Sequence, residues 1–127
     1  MKDIKRKDNE SPLVTEKLGW KYHHLGIPTK DRLPEERYLP HLKLYVSGFN
    51  ISPFGIEWMR FADDCKVAEL IKTVPHIAFE VDDLDKELNE CGCEIISEPG
   101  APSERVRAAM IKHNGSPIEL IEFNRKK

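Results

Sequence analysis

Apolar and polar residues alternate in a series of short segments from Trp20 onward, and a period of two puts successive side chains on opposite faces of a strand. In 74–81, Ile77, Phe79 and Val81 share one face while His76, Ala78 and Glu80 share the other. The same pattern predicts strands at 20–29, 43–50, 54–62, 94–97, 106–113 and 117–124, with Ser52-Pro53 and Asp63-Asp64 bounding the third of the early segments. Two stretches change to a helical period. Val67, Leu70 and Ile71 form a stripe after a cap at Asp63 or Asp64. Leu84, Leu88 and Cys91 form another after a cap at Asp82, and Gly92 supplies the left-handed residue that ends it. Asn114-Gly115 marks a two-residue hairpin between the last two strands.

These elements repeat. Ile56-Glu57-Trp58-Met59-Arg60-Phe61 aligns with Ile118-Glu119-Leu120-Ile121-Glu122-Phe123, identical at Ile, Glu and Phe. Each copy is preceded by a strand that begins near a histidine, His24 in His-Leu-Gly-Ile and His76 in His-Ile-Ala-Phe. The second half reads strand, helix, then three strands. The first half is about ten residues shorter between its histidine and its glutamate, so it lacks something. Pro34 can start a helix there and Pro40 stops it within two turns, so either that helix is stunted or a strand is lost. The chain divides into a polar extension at 1–19 and a domain at 20–124, made of a module at 20–62, a linker helix at 63–73 and a module at 74–124.

With 127 residues, 39% of them hydrophobic, the chain is long enough to bury a core without metals or disulfides merely to fold. Twenty Lys and Arg against 22 Asp and Glu leave a net charge of -2, which offers no global field for nucleic acid. The basic runs at 5–7 and 125–127 read as solvated ends. No apolar stretch is long enough to span a membrane, and 1–10 lacks the apolar centre of a signal peptide, so a cytoplasmic protein is expected. Three cysteines argue against a disulfide framework and suit a reducing compartment, and the Cys91-Gly92-Cys93 run is assigned no role.

Side chains two apart on a strand share a face, so Glu57 belongs with Gly55, Met59 and Phe61 while Ile56 and Trp58 point away. Glu119 likewise opposes Glu122. Ionised glutamates at the centres of apolar strands cost several kcal/mol unless paired or metal-bound. Two His and two Glu from paired half-domains would satisfy one another around a divalent ion. His23 is next to His24 but is expected on the opposite side of the strand. Trp58, Met59, Phe61 and Met110 are expected to pack a core, and Arg37, Arg60, Arg105 and Arg107 to be solvated.

The motifs His24-Leu25-Gly26-Ile27, Gly55-Ile56-Glu57, 75–83 (Pro-His-Ile-Ala-Phe-Glu-Val-Asp-Asp) and 117–122 (Pro-Ile-Glu-Leu-Ile-Glu) resemble those of the vicinal oxygen chelate superfamily of glyoxalase I, bleomycin resistance proteins and extradiol dioxygenases. The resemblance covers residues 20–124. It implies an α+β fold of two βαβββ modules forming a curved mixed sheet around a metal and substrate cavity, with a shortened helix region in the first module, usually as a homodimer. It puts the glyoxalase-type metal set on His24, Glu57, His76 and Glu119, and one divalent ion (Zn, Ni, Co, Mn or Fe) is the implied cofactor. The implied activity is that of a glyoxalase-like lyase or isomerase on a small oxo, hydroxy or thioester substrate, with proton transfer through a metal-stabilised enediolate. Glu119 is the first choice of base and Glu57 the second. No residue pattern marks a glutathione site. Two alternatives share the fold: a non-catalytic ligand-binding or resistance protein, and an Fe(II) extradiol-type dioxygenase that uses His24, His76 and Glu119. Expected partners are a small-molecule substrate and a second copy of the chain, with neither nucleic acid nor membrane.

Overall fold

In the computed structural model, residues 6–7, 9–103 and 105–123 are described. Lys5, the end of the last predicted strand at Asn124 and the 125–127 basic run lie outside them. The elements are α1 (Val14–Lys17), β1 (Lys21–Pro28), β2 (Arg37–Leu39), β3 (Leu44–Ser47), β4 (Ile56–Phe61), α2 (Glu69–Thr73), β5 (His76–Glu80), α3 (Leu84–Cys91), β6 (Glu94–Ser103), β7 (Val106–His113) and β8 (Ser116–Phe123).

All eight strands join one mixed sheet in the order β2-β3-β4-β1-β5-β8-β7-β6. β1 to β4 are arranged as β5 to β8 are. In each half the first strand pairs in parallel with the fourth, which continues antiparallel to the third and second. The antiparallel β1–β5 pairing joins the halves. The sequence repeat is therefore a repeat of topology, and the expected α+β architecture of two modules is the one present. The open question about the first module is also answered: β2 survives as a three-residue strand, and among the described residues no helix lies between β1 and β2.

That loss changes what covers the first module. In the second, α3 lays Leu84 and Leu88 against Trp20, Val81, Ala109, Ile111 and Leu120. Asp83 caps this helix, rather than Asp82, by accepting a hydrogen bond from the Lys86 backbone N–H at 3.2 Å, and Gly92 ends it at φ 64° as expected. In the first module the apolar cluster of Leu44, Val46 and Met59 lies on the cavity side of the sheet. The opposite face carries Tyr45 and Arg60, a cross-strand pair. The Arg60 guanidinium stacks 4.0 Å over the Tyr45 ring and donates to both carboxylate oxygens of Glu36, at 2.7 and 2.8 Å. Arg60 is thus bound within the fold rather than solvated, and a layer of side chains stands where the other module has a helix.

Other departures have local causes. α2 begins at Glu69 rather than after Asp63 or Asp64; Asp64 accepts a bond from Lys43 at 3.0 Å, and the Ala68 cap makes no side-chain bond. α1 forms a single turn in the polar extension, where Val14 packs on the α3 core. β6 runs well past 97 despite Pro99 and Gly100, since it is an edge strand whose register with β7 shifts three times. The Cys91 and Cys93 sulfurs lie beside each other across Gly92, whose left-handed backbone ends α3 and brings their Cα atoms to 5.2 Å. Cys65 is free and buried. Asn114 and Gly115, both at positive φ, make the predicted tight hairpin. No helix among the described residues is long and apolar enough to cross a membrane.

Candidate metal centre

The sheet register assembles the site. Opposed residues in paired strands point to the same face. Across the β1–β5 junction His24 faces Ala78 and Gly26 faces His76. In the flanking parallel pairs Gly26 faces Glu57 and Ala78 faces Glu119. The six positions share one face and follow an approximate two-fold relation that exchanges the halves, so each module contributes one histidine and one glutamate to the concave side. The group is built within a single chain.

His24 Nε2, His76 Nε2 and Glu119 Oε1 converge: 3.3 Å separates the two nitrogens, and the carboxylate oxygen is 3.3 Å from His24 and 3.1 Å from His76. Both imidazoles are buried, at 5% and 1% exposure. Donor atoms on a tetrahedron around an ion at about 2.0–2.1 Å sit roughly 3.4 Å apart. His24, His76 and Glu119 thus form a cluster that could hold a metal ion, and the donor set of imidazole nitrogen and carboxylate oxygen suits Zn, Ni, Co, Mn or Fe(II). Glu57 stands apart from this trio, its Oε1 at 3.7 Å from His24 Nε2.

The two glutamates differ in electrostatics as in position. Burial raises the Glu57 carboxyl above the usual range, His24 pulls it partly back, and the charge of Glu119 pushes it up again. Burial would also raise Glu119, but hydrogen bonds and charge from His24 and His76 outweigh it and hold the carboxyl at about 2. The site therefore keeps one carboxylate ionised beside one that takes up a proton more readily.

The structure brings the four residues named from the sequence to one face and sets three others beside them. Register slips between Tyr22 and His24, so His23 is an extra, bulged residue in β1. It does not lie on the opposite side: its ring meets His24 and lines the same cavity. Gly26 has a steric duty, because a Cβ there would lie 2.2 Å from His76 Cε1. Phe49, in the turn between β3 and β4, stacks on His23 with ring centroids 4.9 Å apart.

The site opens on a cavity of about 700 Å3. Its apolar lining includes Leu44, Val46, Met59, Met110 and Ile121, while Arg37 and Lys66 bring positive charge to it. Met59 and Met110 are buried there, whereas Trp58 is 37% exposed.

No protein-family model and no curated protein matches the chain. Solved structures do. A hypothetical protein from Bacillus halodurans C-125 is similar over 85% of this chain and 97% of its own, with a TM-score of 0.64 at 19% identity. Methylmalonyl-CoA epimerase from Mycobacterium tuberculosis is similar over 80% of this chain and 87% of its own, with a TM-score of 0.56 at 22% identity.

Proposed function

We propose, from a vicinal oxygen chelate fold that holds a His24–His76–Glu119 group capable of taking a metal ion, that this protein is a metal-dependent isomerase or lyase. The reaction is proton transfer at a carbon next to a carbonyl, on a small oxo, hydroxy or thioester substrate. The observation that carries this reading is the division of labour between the glutamates: Glu119 is shared by both imidazoles, while Glu57 borders the cavity and meets His24 alone, at 3.7 Å. A bound divalent ion would supply Lewis acidity to polarise the substrate carbonyl.

The chain's own residues account for the rest. His24, His76 and Glu119 would hold the ion. Glu57, free of full ligand duty and readily protonated, takes the proton from the neighbouring carbon and returns it, a role that places it ahead of Glu119 as the base. The apolar walls exclude water, and the charge of Arg37 favours the ionised form of Glu57 that the first step needs. An epimerase among the structures of this fold supports the same class of chemistry.

Solvent exchange tests it. Protein loaded with Zn, Ni or Co and incubated in D2O with a panel of α-hydroxy ketones and 2-substituted acyl thioesters should place deuterium at the carbon next to the carbonyl, read by mass spectrometry. In Glu57→Gln the exchange rate should fall by about 100-fold or more, with metal affinity held within about tenfold. Exchange by Glu57→Gln at the parent rate would remove Glu57 from the role, and no exchange on any member of the panel would count against the reaction class.

A second reading is favoured by the trio itself, since two histidines and one carboxylate with open positions is the ligand set of non-haem Fe(II) oxygenases. Oxygen uptake by the Fe(II)-loaded protein in the presence of a catechol would select it, and Glu57→Gln would then leave turnover nearly unchanged.

A further inference from the structure

We propose that His23 is a positioning residue: through its Nδ1 it holds the His24 imidazole in the tautomer and orientation that present Nε2 to a metal ion. The inference rests on the reading of His24, His76 and Glu119 as a metal-holding group, and it assigns a function to a side chain outside that group.

The contact is short and specific. His23 Nδ1 lies 2.7 Å from His24 Nδ1, within hydrogen-bond distance, so one nitrogen donates and the other accepts. A neutral imidazole that gives its Nε2 lone pair to a cation carries its proton on Nδ1. His24 Nδ1–H must then donate, and His23 Nδ1 must accept. Metal-ligating histidines generally donate their second N–H to a carboxylate, a carbonyl or a water, which fixes the ring and increases its basicity. Here a second imidazole fills that place.

Three further observations support the assignment. First, the bulge in β1 is what puts consecutive residues on one side of the strand, so the backbone departs from regular pairing at the very residue that makes the contact. Second, the His23 ring is held from outside, stacked on Phe49 at an interplanar angle of 16° and tilted against Phe123 at 5.5 Å. Third, the two histidines of the site are unequally supported. His76 Nδ1 is buried without a hydrogen-bond partner, and the residue preceding it, matched to His23 by the repeat, is Pro75, whose side chain can neither donate nor accept. The buried second nitrogen of a ligand pair is thus satisfied in the first module alone, by His23.

Zn(II) titration by competition with a chromophoric chelator tests the proposal on the full chain, using His23→Phe, His23→Asn and His76→Ala. Phe keeps an aromatic ring against Phe49 and removes the acceptor. Asn places a carbonyl oxygen near the position of Nδ1. Zn affinity is expected to fall by about 10- to 100-fold in His23→Phe and to recover by at least several-fold in His23→Asn. Imidazole 15N spectra of the Zn-loaded parent should show His23 protonated on Nε2 and bare on Nδ1, a readout that needs no variant and that a purely structural role would leave unspecified. Parent-like affinity in His23→Phe, an Asn variant no better than Phe, or a His23 proton on Nδ1 would each overturn the proposal. His76→Ala separates the levels: if it binds Zn as the parent does, the metal reading itself fails, whereas a loss there with no effect of His23→Phe rejects only the positioning role.

Discussion

Gly26→Ala is expected to abolish metal binding and to lower stability by about 3 kcal/mol, the larger part of the usual cost of forcing atoms into a packed interior. The added methyl would fall 2.2 Å from His76 Cε1, 2.7 Å from Nε2 and 2.8 Å from Nδ1. The ring has no room to retreat, since His76 is 1% exposed and its neighbour Ala78 is fully buried. Relief can come only from turning the ring out of its place or spreading β1 from β5, and either movement separates Nε2 from its two partners. Isothermal titration with Zn(II) and thermal unfolding in chelator check the two parts separately. Parent-like binding in the variant would mean that the His76 ring has another resting place. The two-fold relation makes the comparison sharper: Ala78 occupies the matching place opposite His24 and keeps its methyl group, so one of the two small positions must be glycine and the other need not be.

Glu119→Gln should reduce metal affinity by more than about 100-fold, and in the metal-free protein it should remove one specific part of the acid sensitivity. The Glu119 carboxyl stands at about 2 in the folded chain against 4.5 as its ordinary value. A group depressed on folding stabilises the native state above its unfolded value, and that contribution is lost as the pH falls through the folded one. The shift corresponds to about 3 kcal/mol, present at neutral pH, decreasing below pH 4.5 and gone near pH 2. Urea unfolding in chelator at several pH values should therefore show parent and Glu119→Gln far apart at pH 7 and converging toward pH 2. A difference that stays constant with pH would mean that the carboxylate is not held by the two imidazoles.

Much of the site was legible because duplication writes its residues twice. A lone histidine at the start of a strand carries little information, but a second copy with its own glutamate marked His24, Glu57, His76 and Glu119 together, and the register then brought all four to one face. Gly92 and Asn114-Gly115 were legible for a different reason: positive φ is a local demand that composition answers locally. The face of His23 was not legible. A bulge is a mismatch in residue count between two strands over fifty residues apart in the chain, and strict alternation assigns the wrong side to any residue within it. The duty of Gly26 was hidden likewise, because it depends on a ring delivered by another strand. The helix predicted from Asp63 or Asp64 starts later, at Glu69, and the Asp64 carboxylate is bonded instead to Lys43 beside the neighbouring strand.

The unequal backing of the two modules gives the cavity walls unequal support. The wall that bears Glu119 is braced from behind by α3 and its apolar core. The wall that bears Glu57 is braced by Tyr45, Arg60 and Glu36, a layer of a few side-chain contacts with no helix behind it among the described residues. A ligand entering the cavity therefore meets one wall backed by a packed helix and one backed by side-chain contacts alone. The trio that could hold a metal ion has its carboxylate on the helix-backed side, and the glutamate whose carboxyl is raised lies on the other. The missing helix thus leaves the half that carries Glu57 with fewer packed contacts behind its sheet than the half that carries Glu119.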